Sequence, residues 1–256
     1  MTEANSSGRR LTIMRVIAWL MAVSAVGFGL FTIVFGIVSP AQEIHAVHNA
    51  VVGSLLLVLS APPVIATARD PARAARPLVI LGVAAIASLG TMAAALTLDP
   101  FTLPFAVLTG VLWATVPGRS GAIPDGRPSL VMLAIVVLAA VPLVLYALDQ
   151  AGLQRTDVGS EHAAFFHWVE TSFYAVAILA VGLVAALRPA AFRMAAPMAG
   201  LALAILGAAS VVLGQHASAL GAPWSWAALV GGLAFIGVGA WEAHRLSHPP
   251  AGSKLA

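Results

Sequence analysis

Residues 161–188 read EHAAFFHWVETSFYAVAILAVGLVAALR, and the reading of this stretch decides the fold. Its first ten residues hold Glu161, His162, His167 and Glu170. From Thr171 to Leu187 there is no charge, and Arg188 closes the run. At 1.5 Å per residue, the roughly twenty helical residues from His167 to Arg188 span about 30 Å, the thickness of a bilayer's hydrocarbon. The run is continuously apolar rather than alternating, so it is a membrane helix and not a barrel strand. Ionisable groups at membrane depth are costly, which makes the polar end of this helix the first place to look for function.

The rest of the chain repeats the pattern. Of 256 residues, 60% are hydrophobic and 9% are charged, where a soluble domain carries about 25% charged residues. Mean hydropathy is +0.96. No single soluble core hides this much apolar surface, so the lipid bilayer is the expected environment. Eight apolar runs stand out, at about 11–38, 45–67, 77–97, 101–116, 129–149, 162–187, 196–214 and 223–243. The run at 101–116 is short, contains Pro104 and is the least secure. The fold class is therefore all-α, a polytopic membrane protein with eight transmembrane helices.

Charge sets the expected orientation. With a cytoplasmic N-terminus, Arg155 is the one basic residue of thirteen that falls outside. Such a bias is the positive-inside signal of an inner-membrane protein with both termini cytoplasmic. Arg9-Arg10 reads as the flank of an anchor, because the apolar run after it is too long for an export signal. Residues 1–10 then form a disordered cytoplasmic lead, 11–116 the first four spans and 117–128 a cytoplasmic linker. Residues 129–243 form the last four spans and 244–256 a cytoplasmic tail. The pI of about 10.2 reflects topology and gives no support to nucleic-acid binding. With no cysteine in the chain, disulfides, thiolate metal sites and thiol redox chemistry are excluded. Nothing in the composition fixes an oligomeric state.

An offset of 119 lays His48 on His167, Arg69 on Arg188 and Pro104 on Pro223. If it is a true repeat, the chain is two parallel four-helix halves about an axis along the membrane normal.

The outer side collects the titratable groups. Glu43, His45 and His48 open the second span, and Asp99 lies between the third and fourth. Asp149, Asp157, Glu161, His162, His167 and Glu170 surround the start of the sixth, and His216 follows the seventh. Counting back from Arg69 and from Arg188 puts His48 and His167 at one depth, with Glu170 about 4–5 Å further in. His45 and His48, three apart, share a helix face, as do His167 and Glu170. His162, five residues before His167, is expected on another face.

Three chemistries suit these residues. His48, His167 and Glu170, with His45 in reserve, supply the nitrogen and oxygen donors of a divalent metal site. His48 and His167 could instead be the axial ligands of one b-type haem. A carrier for protons or a small solute would use Glu170 and His167, with cavities opened at Pro62, Pro63 and Pro142. The plain alternative is that these histidines bond headgroups and loop carbonyls, in a protein that is a scaffold for membrane complexes. Glycines at 27, 29, 36, 231, 232, 237 and 239 read as close-packing surfaces, and the six tryptophans mostly as interfacial anchors. No phosphate loop, nucleophile elbow or dinucleotide turn occurs, so a soluble type of enzyme is not indicated.

His167-Trp168, the run Val-Gly-Leu-Val-Ala-Ala-Leu-Arg188-Pro189 and the turn Leu98-Asp99-Pro100-Phe101 resemble small multi-pass proteins of high-GC, actinobacterial-type genomes. The resemblance implies an eight-helix inner-membrane layout and carries over no catalytic residue.

Overall fold

The expectation of a helical membrane protein is met. The computed structural model describes residues 3–39, 45–117, 128–187 and 191–248, and among these the regular structure is helical throughout. Helix α1 covers Glu3–Val38. Helices α2 (Ala46–Ser54) and α3 (Ala61–Arg69) form one span joined by a π-helical turn, Leu55–Ser60. After a 3-10 turn at Pro71–Arg73 come α4 (Ala75–Ala95), α5 (Thr102–Thr115) and α6 (Leu130–Thr156). The short α7 (Glu161–Ala164) precedes α8 (His167–Leu187), α9 (Phe192–Val212) and α10 (Ala222–Ser247).

Among the described residues, seven helices are long and apolar enough to cross a membrane. The eighth run forms α5, whose 14 residues give about 21 Å, short of the ~30 Å hydrocarbon. Its start is well fixed. Asp99 is fully buried and accepts from the Phe101 and Thr102 backbone N–H groups at 2.8 and 3.3 Å and from Thr102 Oγ1 at 2.5 Å. Asp99, counted in the sequence among the outer polar groups, is thus the cap that satisfies the first donors of α5. Trp113 Nε1 donates to the Leu78 carbonyl at 2.9 Å and ties α5 to α4.

The core is built around α8, 78% buried along its span, while α6 is 22% buried and faces outward. On α8, Phe173, Tyr174, Ile178 and Val181 pack into one apolar cluster with residues of α2, α4, α6, α9 and α10. The π turn between α2 and α3 follows from Pro62 and Pro63. Neither supplies an N–H to the preceding turn, and the chain widens there instead of breaking. Ser60 Oγ, donating to the Leu55 carbonyl at 3.0 Å, takes up one carbonyl of that turn.

Small residues let backbones touch. A Cβ at Gly232 would come within 2.4 Å of the Gly200 carbonyl oxygen, and one at Gly207 within 2.3 Å of the Leu229 nitrogen, so α9 and α10 cross in direct backbone contact. Gly29 and Gly36 meet Leu57 and Asn49, and Gly53 meets Ile33, which seats α1 on the α2 span. Not every glycine expected at a packing surface is in one: Gly27, Gly231 and Gly237 have nothing within 4 Å of where a Cβ would stand.

The offset of 119 can be set against the elements. It carries Ala46–Arg69 onto 165–188, beside His167–Leu187, and Ala75–Ala95 onto 194–214, beside Phe192–Val212. The start of α5 at Thr102 falls on 221, one residue before α10 begins. Packing follows suit. In the first half α1 meets α2 and α3, α3 meets α4, α4 meets α5, and α5 returns to α1. In the second, α6, α8, α9 and α10 close in the same cyclic order.

Candidate functional site

The start of α8 sits against the start of α2, and there the histidines meet. The rings of His48 and His167 stack with centroids 3.7 Å apart and planes 25° from parallel. The two positions that the 119 offset equates are therefore in face-to-face contact. His45, the residue before α2, places its ring 4.6 Å from His167 and 4.4 Å from His162.

His162 arrives by a route the helical period does not show. The chain from 161 to 170 is not one helix: α7 stops at Ala164, and α8 starts afresh at His167. Between them Phe166 takes φ = 64°, a left-handed conformation that is costly for a bulky side chain. Phe166 is held there in a small apolar cluster with Met92, Ala95, Ala151 and Val169. Strain of this kind persists where surrounding packing over-determines it. The break turns His162 back toward the cluster, 5.5 Å from His167, and lays it on the Trp168 ring at 4.6 Å. The expectation that His162 faces away from His167 assumed one unbroken helix and does not hold. Trp168, 3% exposed, is buried beneath the His162 ring and is not a headgroup anchor.

Each of His45, His162 and His167 offers a ligand atom within 4.8 Å of the others. A tetrahedral zinc with bonds of about 2.0–2.1 Å needs donors about 3.4 Å apart, so small rotations of the rings would close the triangle on an ion. The buried ring nitrogens fit the same reading. His45 Nδ1, His48 Nδ1 and His167 Nδ1 are shielded from solvent and have no hydrogen-bond partner. A buried polar atom left so costs about 1–3 kcal/mol, a cost that coordination of an ion would relieve.

The carboxylates divide between two levels. Glu161 Oε2, on a largely exposed side chain, stands 3.6 Å from His45 Nε2. Glu170 is 6% exposed and its Oε2 lies 3.2 Å from His48 Nε2, a pair in which both side chains are buried. His48 and Glu170, expected among the ligands, are engaged with each other beneath the three-histidine group. His48 touches that group by stacking on His167. One turn further along α8, the Tyr174 hydroxyl meets Ser54 Oγ and donates to the Ala202 carbonyl at 2.9 Å. Beyond Tyr174, α8 carries no polar side chain as far as Leu187.

His216 lies in the connection between α9 and α10, outside the clustered imidazoles, and Glu43 falls outside the described residues. The bis-histidine haem does not fit. Axial ligation sets two imidazoles on opposite faces of a porphyrin with iron between them, and rings stacked at 3.7 Å leave no such space.

A cavity of about 370 Å³ opens beside the cluster. His45, His48, Glu161, His167 and Glu170 form its polar wall, and phenylalanines of α1 face them. Comparison with protein-family models, with curated proteins and with solved structures finds no match at the level of significance that would show a family.

Proposed function

We propose that this integral membrane protein binds a divalent transition-metal ion, of the zinc class, at the outer mouth of its helix bundle. His45, His162 and His167 are the nitrogen ligands, and Glu161 is the nearest carboxylate able to join them. One observation carries the reading: three imidazoles from two segments far apart in sequence converge, with orphaned buried nitrogens among them. Imidazole with a carboxylate suits zinc, and three protein ligands leave a fourth position for water or a ligand oxygen. The His48–Glu170 pair lies behind the ligands and positions His167, as outer partners of metal histidines do.

The site reads as one that holds an ion, since α8 offers no polar relay below Tyr174 to hand it onward. The membrane frame of the proposal is a bacterial inner membrane with eight passes, α5 serving as the short fourth. Both termini are cytoplasmic, and two parallel four-helix halves share the His48–His167 contact near their axis. The matching element starts and the common packing order of the two halves support that frame.

Purified protein dialysed against zinc and analysed by mass spectrometry should retain about one equivalent, the stoichiometry of a single closed site. His45→Ala, His162→Ala and His167→Ala should each lose it, whereas His216→Ala should not. Retention equal in all four variants, or in none and not in the parent, would reject the site.

A further inference from the structure

The cavity beside the histidines does not end where its polar wall ends. Phe28, Phe31 and Phe101 line it and also line a second, larger space of about 630 Å³. This second space runs between α1, the π turn and α5, with Leu20, Gly27, Leu56, Phe105 and Leu108 among its walls. Both volumes lie in the range of small-molecule sites, roughly 300–1,000 Å³. Phe28, Phe31 and Phe35 recur on one side of α1 and stack in sequence, with centroids 6.1 and 5.3 Å apart, so the lining is continuous from one space to the other. The whole is one groove with an ionisable end and an apolar body.

The groove is open along its side. Leu20 is 65% exposed and Phe31 56%, on a helix of membrane-spanning length and composition. What surrounds such a face is acyl chain, not water. An apolar ligand would fill the body and leave the histidines unused, and a polar solute would fill the mouth and leave the body empty. A lipid uses both. We infer that the groove holds an acyl-chain membrane lipid, its chain lying between α1 and α5 and an oxygen of its phosphate head reaching the histidine cavity. There the head oxygen takes the position left open by three nitrogen ligands. This inference rests on the metal reading for the identity of the head's partner; the placement of the chain rests on the groove alone.

The test uses full-length protein in phosphatidylcholine nanodiscs with a trace of phosphatidic acid carrying a diazirine in its acyl chain. After illumination, labelled residues are mapped by mass spectrometry, and bound zinc is measured on the same sample. Labelling should concentrate on Ser24, Gly27, Phe105 and Leu108, and excess unlabelled phosphatidic acid should displace it. Gly27 has open space where a side chain would stand, so Gly27→Trp fills the groove without disturbing the fold. It should lower groove labelling about tenfold, equivalent to about 1.4 kcal/mol, with zinc content unchanged. Ser24→Trp, one turn away on an exposed position, should repeat the result. Labelling spread evenly onto outward residues such as Leu138 and Leu145, and indifferent to Gly27→Trp, would overturn the proposal even in protein that holds zinc. Groove-specific labelling in protein without zinc would uphold the lipid site and remove the metal from it.

Discussion

At the scale of single residues, the proposed site separates ligands from supports. His45, His162 and His167 bring ligand atoms within 4.8 Å of one another, while the buried Glu170 pairs with His48 at 3.2 Å. Glu170→Leu would strand the His48 ring. It should lower thermal stability in detergent by about 1–3 kcal/mol, the cost of an unsatisfied buried polar group, whereas Glu170→Gln should recover most of that loss. Equal melting temperatures for the two variants would show that the pair contributes nothing. Imidazoles bind metal only when unprotonated, so bound zinc should fall as pH drops through the acidic range. Zinc content constant over that range would point to carboxylate ligands instead. The sequence made His48, His167 and Glu170 legible because counting back from two arginines fixes their depth. It hid His162, since nothing in the letters EHAAFFHW announces that Phe166 adopts φ = 64° and resets the helix.

Helices are where patterning spoke most clearly and small residues least. Continuous apolar runs bounded by arginine and proline locate the long helices, with α6 running on to Thr156 past the run that ends at 149, because the bilayer permits only one backbone solution for them. Which glycines make contact is a matter of helix rotation, which a run apolar on all sides does not encode. Thus Gly232 and Gly239 face α9, and their neighbours Gly231 and Gly237 face open space. Gly232→Val should destabilise by about 1–3 kcal/mol or more, since the added atoms meet main chain that cannot move aside. Gly231→Ala should be neutral or slightly stabilising. Thermal unfolding of the purified variants decides; a tolerated Gly232→Val would mean that α9 and α10 do not cross in backbone contact. The length of α5 is the other departure. Fourteen helical residues in place of a full span follow from the cap at Asp99 and the extended Val116 that ends it.

For the whole molecule, the span Ala46–Arg69 packs against α8, and His48 meets His167 there. If the repeat holds, the chemistry does not follow it. Glu161, His162 and Glu170 come from the C-terminal part of the chain, whereas His45 comes from the N-terminal part. The chain has no cysteine, which makes single-cysteine topology mapping direct. Gly159→Cys should react with an impermeant maleimide on intact cells, and Gly8→Cys only after permeabilisation; the reverse pattern would invert the proposed orientation. The central claim, a metal held by three imidazoles at this mouth, is tested most directly by zinc-edge X-ray absorption on the loaded protein. The expected spectrum has a nitrogen and oxygen shell at about 2.0–2.1 Å with the multiple scattering of three imidazole rings, and His162→Ala, which does not retain zinc, should lose it. A shell without imidazole scattering, or a spectrum unchanged by His162→Ala, would contradict it.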